Sequence, residues 1–152
     1  MVIKGKETVK LVIDTKLKIP PKANVLKHPK SLIIACSNSA PKSKIKMLGE
    51  KGVRFIQVKM KGQFLDMKTV MKAVAKMGYL TVLLEGGSTV NASMIKDKLV
   101  DRVMLFTSPK ILGNDGIGVV GKLGIKELDK VISLQNVNYH KFGRDMLVEG
   151  EL

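Results

Sequence analysis

The feature that most constrains this chain is a series of short apolar runs, each closed by glycine, proline or small polar residues and separated by stretches of helical period. Residues 31–37 (SLIIACS) are almost continuously apolar. Alternation would mark a strand with one wet face, whereas a continuous run marks one covered on both, as in a parallel sheet. Residues 8–14 (TVKLVID), 53–58 (VRFIQV), 80–85 (LTVLLE) and 102–108 (RVMLFTS) repeat the theme. The double proline Pro20-Pro21 ends any regular element begun by the first of them. Pro41 suits a first helical position, Ile45 and Leu48 share a face, and Gly52 suits the stop. Asp66 is placed to cap a second helix with Val70, Met71, Val74 and Met77 on one face and Gly78 at its end. A third helix follows residue 87, with Val90, Met94, Ile95 and Leu99 as its apolar stripe. Residues 113–124 form a glycine-rich loop, and residues 131–152 read as two strands joined near Phe142-Gly143-Arg144. These elements imply an α/β fold: a mixed, mainly parallel sheet with flanking helices and a C-terminal antiparallel hairpin, in a single domain over residues 1–152.

Bulk composition narrows the function classes. A length of 152 residues, 45% hydrophobic and 26% charged, fits one soluble globular domain with a real core. No apolar run approaches the ~18 residues that span a bilayer, and MVIKGKETVK contains no signal-like apolar stretch, so a cytoplasmic protein with no membrane partner is expected. The single cysteine, Cys36, excludes an internal disulfide. With His28 and His140 it gives no metal-ligand spacing, so no metal is expected. Its apolar neighbours point to a buried, inert thiol. The net charge of +14 allows an anionic ligand. Lysines are spread from Lys4 to Lys141, aromatics are 4% and Trp is absent, which argues against nucleic acid as a partner.

The most informative stretch is residues 83–101 (LLEGGSTVNASMIKDKLVD). A strand ending in Gly86-Gly87, then Ser88-Thr89, then a helix, is a physical recipe for holding phosphate. The glycines let a ligand approach the backbone, the hydroxyls donate, and the helix N-terminus carries partial positive charge. A tight connection with Ser88 as an ordinary cap is an equally good reading of the same residues. Neither a Walker loop nor a GxGxxG fingerprint is present. Glu85 sits where open α/β sheets place ligands, and a carboxylate at the end of a buried strand needs a donor, from the protein or from a nitrogen-rich ring.

Residues 9–26 (VKLVIDTKLKIPPKANVL) resemble the "VDSxLRxP" segment of the riboflavin-pathway reductases, a dihydrofolate-reductase-like family. Residues 83–113 resemble its "EGGxxL…glvDe…yiaPkilG" signature. The resemblance is nearest to the stand-alone enzymes that reduce 2,5-diamino-6-ribosylamino-pyrimidinone 5′-phosphate. It implies NADPH as cofactor, held by Asp14, Thr15, Lys16 and Leu17 and, at its phosphates, by Gly86, Gly87, Ser88 and Thr89. It also implies a place near the adenosine end for Leu65, and contact between Glu85 and the pyrimidine of a phosphorylated ribosylamino-pyrimidine substrate. Lys16 and Lys18 suit a 2′-phosphate by their charge, and equally suit an exposed surface. The implied reaction turns ribosylamino into ribitylamino, with no residue of the chain singled out as acid or base.

Two departures from the family pattern stand out. The smaller is Asp101-Arg102 in place of its usual Asp-Glu, which puts a salt bridge or turn contact in question with no effect on the chemistry expected. The family also has an N-terminal part, with two strands flanking the one that matches residues 80–85, and no segment here resembles it. A fold with those strands missing leaves buried backbone groups unpaired, at about 1–3 kcal/mol each, against a total stability of about 5–15 kcal/mol. The expectation is therefore a homo-oligomer, such as a dimer, or a partner supplying the N-terminal half. A truncated, inactive nucleotide-binding relative and a basic interaction module on the same scaffold are the alternatives.

Overall fold

Six consecutive residues, Leu32–Ser37, are all buried, and they form the central strand of a parallel sheet. This is the continuous apolar run at work: a strand covered on both faces has no place for a polar side chain until its end. In the computed structural model, which describes residues 8–152, β1 (Lys10–Ile13), β2 (Leu32–Ser37) and β3 (Arg54–Val58) lie in the order β1-β2-β3. Val12 is in register with Ile34, and Ile34 with Phe55. One face of β2 (Leu32, Ile34 and Cys36) packs in a cluster with Leu17, Ile19, Leu48 and Val53. On the other face, Ala35 lies beside Ile56, and Ser37 beside Val58.

β2 and β3 are connected through α1 (Lys42–Glu50). Pro41 is the residue just outside the helix rather than its first member, and Leu48 anchors the helix in the core. A short antiparallel pair, β4 (Met60–Lys61) and β5 (Phe64–Leu65), follows β3 and was not foreseen from the sequence. Its two-residue strands are too short to carry a periodic signal. α2 (Met67–Lys76) begins at Asp66, whose carboxylate accepts the Thr69 N–H at 3.3 Å and the Thr69 hydroxyl at 2.7 Å. The buried face of α2 is Met67, Val70 and Val74; Met71 is half-buried, and Met77 is exposed beyond the last turn.

The chain divides into two compact units, up to Leu80 and from Thr81 onward. The second holds α3 (Ser88–Lys96), β6 (Arg102–Thr107), β7 (Gln135–Phe142) and β8 (Asp145–Glu151). The C-terminal hairpin forms as expected. However, β6 pairs with β8 antiparallel, so the second unit holds a three-stranded antiparallel sheet in the order β6-β8-β7, and the antiparallel part is larger than a hairpin. At the departure Asp101-Arg102, the Arg102 guanidinium meets Glu149 at 3.1 Å across β6 and β8. Among the described residues no helix is long and apolar enough to cross a membrane.

The expected buried strand over residues 80–85 is not formed. This stretch has no regular structure, and Leu80 and Leu83 are 98% and 75% exposed. Apolar, β-branched composition confers only a tendency; a strand exists when its N–H and C=O groups find a neighbour. Among the described residues no strand is hydrogen-bonded to this stretch.

Candidate functional site

Parallel sheets present ligands at the carboxyl ends of their strands, where successive loops diverge. At that end of β1 the chain turns sharply through residues 14–19. Leu17 adopts φ 51°, a left-handed conformation that costs a branched side chain about 1–2 kcal/mol. Three things offset that cost. The Leu17 side chain is 2% exposed within the core. Its N–H donates to the Asp14 carbonyl at 2.9 Å. The Asp14 carboxylate accepts the N–H groups of Lys18 at 2.9 Å and Ile19 at 2.7 Å. Two of the sequence-predicted site residues therefore serve the loop itself: Asp14 is engaged by backbone donors and Leu17 is a core residue. The loop presents outward Thr15, half-buried, and Lys16 and Lys18, both exposed.

The neighbouring turn at the end of β2 was missed by sequence reasoning. The Ser37 N–H donates to the Thr15 carbonyl at 3.0 Å, and the Asn38 N–H to Val58 at 3.1 Å. The Ser37 and Ser39 hydroxyls share a 2.6 Å hydrogen bond, and Ser37 Oγ also accepts the Ser39 N–H at 3.0 Å. The signal was present in the sequence: Ser37-Asn38-Ser39 closes a buried strand, the same placement that made Glu85 a candidate. Beneath this edge, Cys36 is fully buried, and its thiol is pushed above the ordinary range by burial first and by the nearby Asp14 charge second. Leu65, on β5 opposite Met60, is 2% exposed as a whole residue, so it is buried rather than presented to a ligand.

In the second unit, the residues expected to cradle phosphate lie together at the start of α3. Gly87 is the residue before the helix and caps it without a side chain; Ser88 and Thr89 are its first two residues. The alternative in which Ser88 caps the helix is not realised. The two glycines differ in kind. A Cβ on Gly86 would lie 3.1 Å and 3.2 Å from Val90 Cβ and Cγ1, so this glycine makes room for the helix. A Cβ on Gly87 would meet nothing within 4 Å, and its φ of −67° and ψ of 165° suit any residue. Neither backbone conformation nor packing requires glycine there. Thr89 is exposed and Ser88 half-buried, with the Ser88 carbonyl accepting the Gly121 N–H at 2.9 Å. Asn91 Nδ2 donates to the Val119 carbonyl at 2.8 Å, so the glycine-rich loop is fastened to the first turns of α3. Glu85 is exposed and belongs to no strand, contrary to its expected place at the end of a buried one.

Residues 14–17 and 65 thus belong to the first unit and residues 85–89 to the second. Among the described residues no group of three or more His, Cys, Asp and Glu side chains is placed to hold a metal ion.

Comparison with known proteins bears on this arrangement. The chain is 35% identical over 150 residues to the riboflavin biosynthesis protein PYRR, chloroplastic, of Arabidopsis thaliana, covering 97% of this chain and 24% of that protein. It is 31% identical over 147 residues to the 2,5-diamino-6-ribosylamino-4(3H)-pyrimidinone 5′-phosphate reductase of Methanothermobacter thermautotrophicus, covering 95% of this chain and 66% of that one. The chain thus spans about a quarter of the plant protein's length and just under two thirds of the archaeal one's. Its fold is that of RibD of Acinetobacter baumannii, with a TM-score of 0.77 at 16% identity over 95% of this chain and 38% of that one. It is also that of the riboflavin biosynthesis reductase Rib7 of Saccharomyces cerevisiae, with a TM-score of 0.71 at 18% identity over 93% and 68%. The model of the RibD C-terminal domain matches residues 2–148, and the chain belongs to that family.

Proposed function

We propose that this chain is the NADPH-binding part of a riboflavin-biosynthesis reductase that converts the ribosylamino group of a phosphorylated pyrimidine to ribitylamino. The observation that carries the reading is Gly87. It is a glycine that its own backbone and packing leave unexplained, immediately before the positive end of a helix whose first two residues are Ser88 and Thr89. A missing Cβ with nothing of the chain in its place suits a phosphate approaching the N–H groups of residues 88 and 89. When bound, NADPH would supply the hydride, and the residues of the chain bind and orient it. In the second unit Gly87, Ser88 and Thr89 are the candidates for its diphosphate; in the first, Thr15 and Lys16 are separate candidates for cofactor contact. Asp14 and Leu17 would contribute through the shape of their loop, and Leu65, which is buried, through the shape of its own. Glu85, exposed and chemically free to accept ring N–H donors, is assigned to the pyrimidine. We place this chemistry in the cytoplasm, where NADPH and a diffusible substrate meet, although the plant relatives are named chloroplastic.

We further propose that residues 80–85 pair with strands supplied by a longer native chain, a second copy or another polypeptide. Support comes from the exposure of Leu80 and Leu83 in a run composed like a central strand. The test is titration of the chain with NADPH and NADH, followed by nicotinamide fluorescence, with hydride transfer and light scattering measured with and without an N-terminal segment from a related reductase. Saturable binding that favours NADPH, and turnover only with the added segment, is expected. Full turnover by a sharp monomer without it would overturn the need for completion. Affinity for unrelated DNA that falls steeply with salt, without NADPH binding, would favour a basic interaction module instead.

A further inference from the structure

The helix α1 carries three lysines, Lys42, Lys44 and Lys46, that composition alone treats as equivalent surface charges. The structure separates them. Lys42 and Lys46 are exposed, whereas Lys44 is half-buried and its ammonium donates to the carbonyls of Leu17 at 2.8 Å and Ile19 at 2.6 Å. Those two carbonyls lie 27 and 25 residues back along the chain, in the loop that follows β1. We infer that Lys44 is a positioning residue: it clamps the 14–19 loop to α1 and so fixes Thr15 and Lys16 in the geometry that meets the cofactor. The inference rests on the reading of residues 14–17 as a cofactor segment.

The loop needs such a clamp. Its Leu17 holds a left-handed φ of 51°, which a leucine leaves readily once its restraints are gone. The restraints form two sets. Asp14 gathers the N–H groups of Lys18 and Ile19, and Lys44 gathers the carbonyls of Leu17 and Ile19. One is an anion collecting donors and the other a cation collecting acceptors, so each bond is charge-assisted and stronger than a neutral one. Thr15 and Lys16 lie between the anchor at Asp14 and the anchor at Leu17. Thr15 is also held by the Ser37 N–H on its carbonyl. With both ends tied, the backbone of Thr15 and Lys16 is held in place. Lys44 need touch no ligand to have this effect, because its ammonium is turned into the loop.

The test is Lys44→Met, which keeps the aliphatic stem and removes the donors, beside Lys44→Arg, whose guanidinium can still serve two carbonyls. Three readouts are taken: amide exchange at Lys18 and Ile19, the NADPH-to-NADH affinity ratio, and the thermal midpoint. Lys44→Met is expected to speed exchange at Lys18 and Ile19 and to lower the NADPH preference about tenfold, a loss of roughly 1.4 kcal/mol, with Lys44→Arg recovering most of both. The thermal midpoint should fall only modestly: Leu17 and Ile19 belong to the core cluster, but the Asp14 carboxylate still holds their loop. Unchanged exchange and an unchanged cofactor ratio in Lys44→Met would overturn the inference. So would a cofactor effect that merely tracks a fall in the thermal midpoint. If wild type itself shows no NADPH preference, or Lys16→Ala leaves the preference intact, the cofactor reading of the loop fails, and the exchange data alone decide whether Lys44 is a clamp. Should Lys44→Met fail to fold, acetylation of the wild-type chain decides instead: Lys44 should react far more slowly than Lys42 and Lys46, and equal reactivity would refute the clamp.

Discussion

Replacing Gly87 by valine separates a ligand-binding role from a folding role more cleanly than any other change in the chain. The backbone at this position, φ −67° and ψ 165°, is extended, a conformation that valine prefers. The new Cβ would meet no atom within 4 Å. Both facts put the stability change within about 0.5 kcal/mol, the range of an uneventful surface substitution. A phosphate resting on the first N–H groups of α3 would be displaced by the side chain and lose one charge-assisted hydrogen bond or more. At about 1.5–3 kcal/mol for such a bond, NADPH affinity should fall about 10- to 100-fold. Gly86→Val supplies the contrast. Its Cβ would press on Val90 at 3.1 Å, at the base of the same helix, and overpacking of this kind costs about 1–3 kcal/mol. Fluorescence titration of NADPH and thermal unfolding, run on both variants, give the comparison. Gly87→Val should lose affinity at a constant thermal midpoint, and Gly86→Val should lose midpoint by several degrees. Wild-type affinity in Gly87→Val, or a loss of affinity that only follows a loss of fold, would refute the phosphate turn.

The remaining expectations concern the first unit. Cys36 is fully buried in the central strand, with its thiol raised by burial and by Asp14, so it should resist iodoacetamide in the native chain and react at once in denaturant. Rapid native labelling would mean that β2 opens far more readily than its burial allows. The Asp66 carboxyl is held below its ordinary value, first by the Thr69 hydroxyl and then by the Thr69 N–H. A depressed carboxylate contributes stability above its unfolded value and loses it as pH falls through the folded one. Asp66→Ala should therefore lower the thermal midpoint near neutrality, and the gap from wild type should close in acid, below the ordinary carboxylate range. A gap independent of pH would mean that the cap acts by shape and not by charge.

Where residues carry their own reasons for a structure, the sequence was legible. Residues 32–37 form a buried strand because a continuous apolar run fails in any half-exposed setting, and the run is visible without knowing its neighbours. Asp66 caps α2 because the carboxylate needs only Thr69, three residues on. The hairpin near Gly143 is likewise local. Residues 80–85 show the opposite case. Their composition is that of a central strand, but strand formation is a relation between two segments, and among the described residues no other segment supplies the second half of the ladder. The antiparallel placement of β6 was hidden for the same reason: an apolar run does not say in which direction its neighbour runs.

The candidate site was legible as a set of positions and illegible as a set of roles, and the two glycines and three lysines show why. Gly86 and Gly87 are adjacent and chemically identical, and nothing in their order tells which one makes room for the helix and which one borders open space. The distinction lies in what surrounds the missing Cβ, which is Val90 in one case and open space in the other. Lys42, Lys44 and Lys46 repeat the lesson in charge: two face water, while Lys44 is turned onto carbonyls more than twenty residues away. Asp14 is the converse, a residue singled out for a ligand whose carboxylate is engaged by the backbone of its own loop. A binding loop must hold its shape before a ligand arrives, since ordering it at the moment of binding would subtract from affinity. Its most conspicuous charges are then drawn inward to fix the backbone, as Asp14 and Lys44 are. In the loop proposed to bind cofactor, that leaves half-buried Thr15 and exposed Lys16 as the candidates for contact.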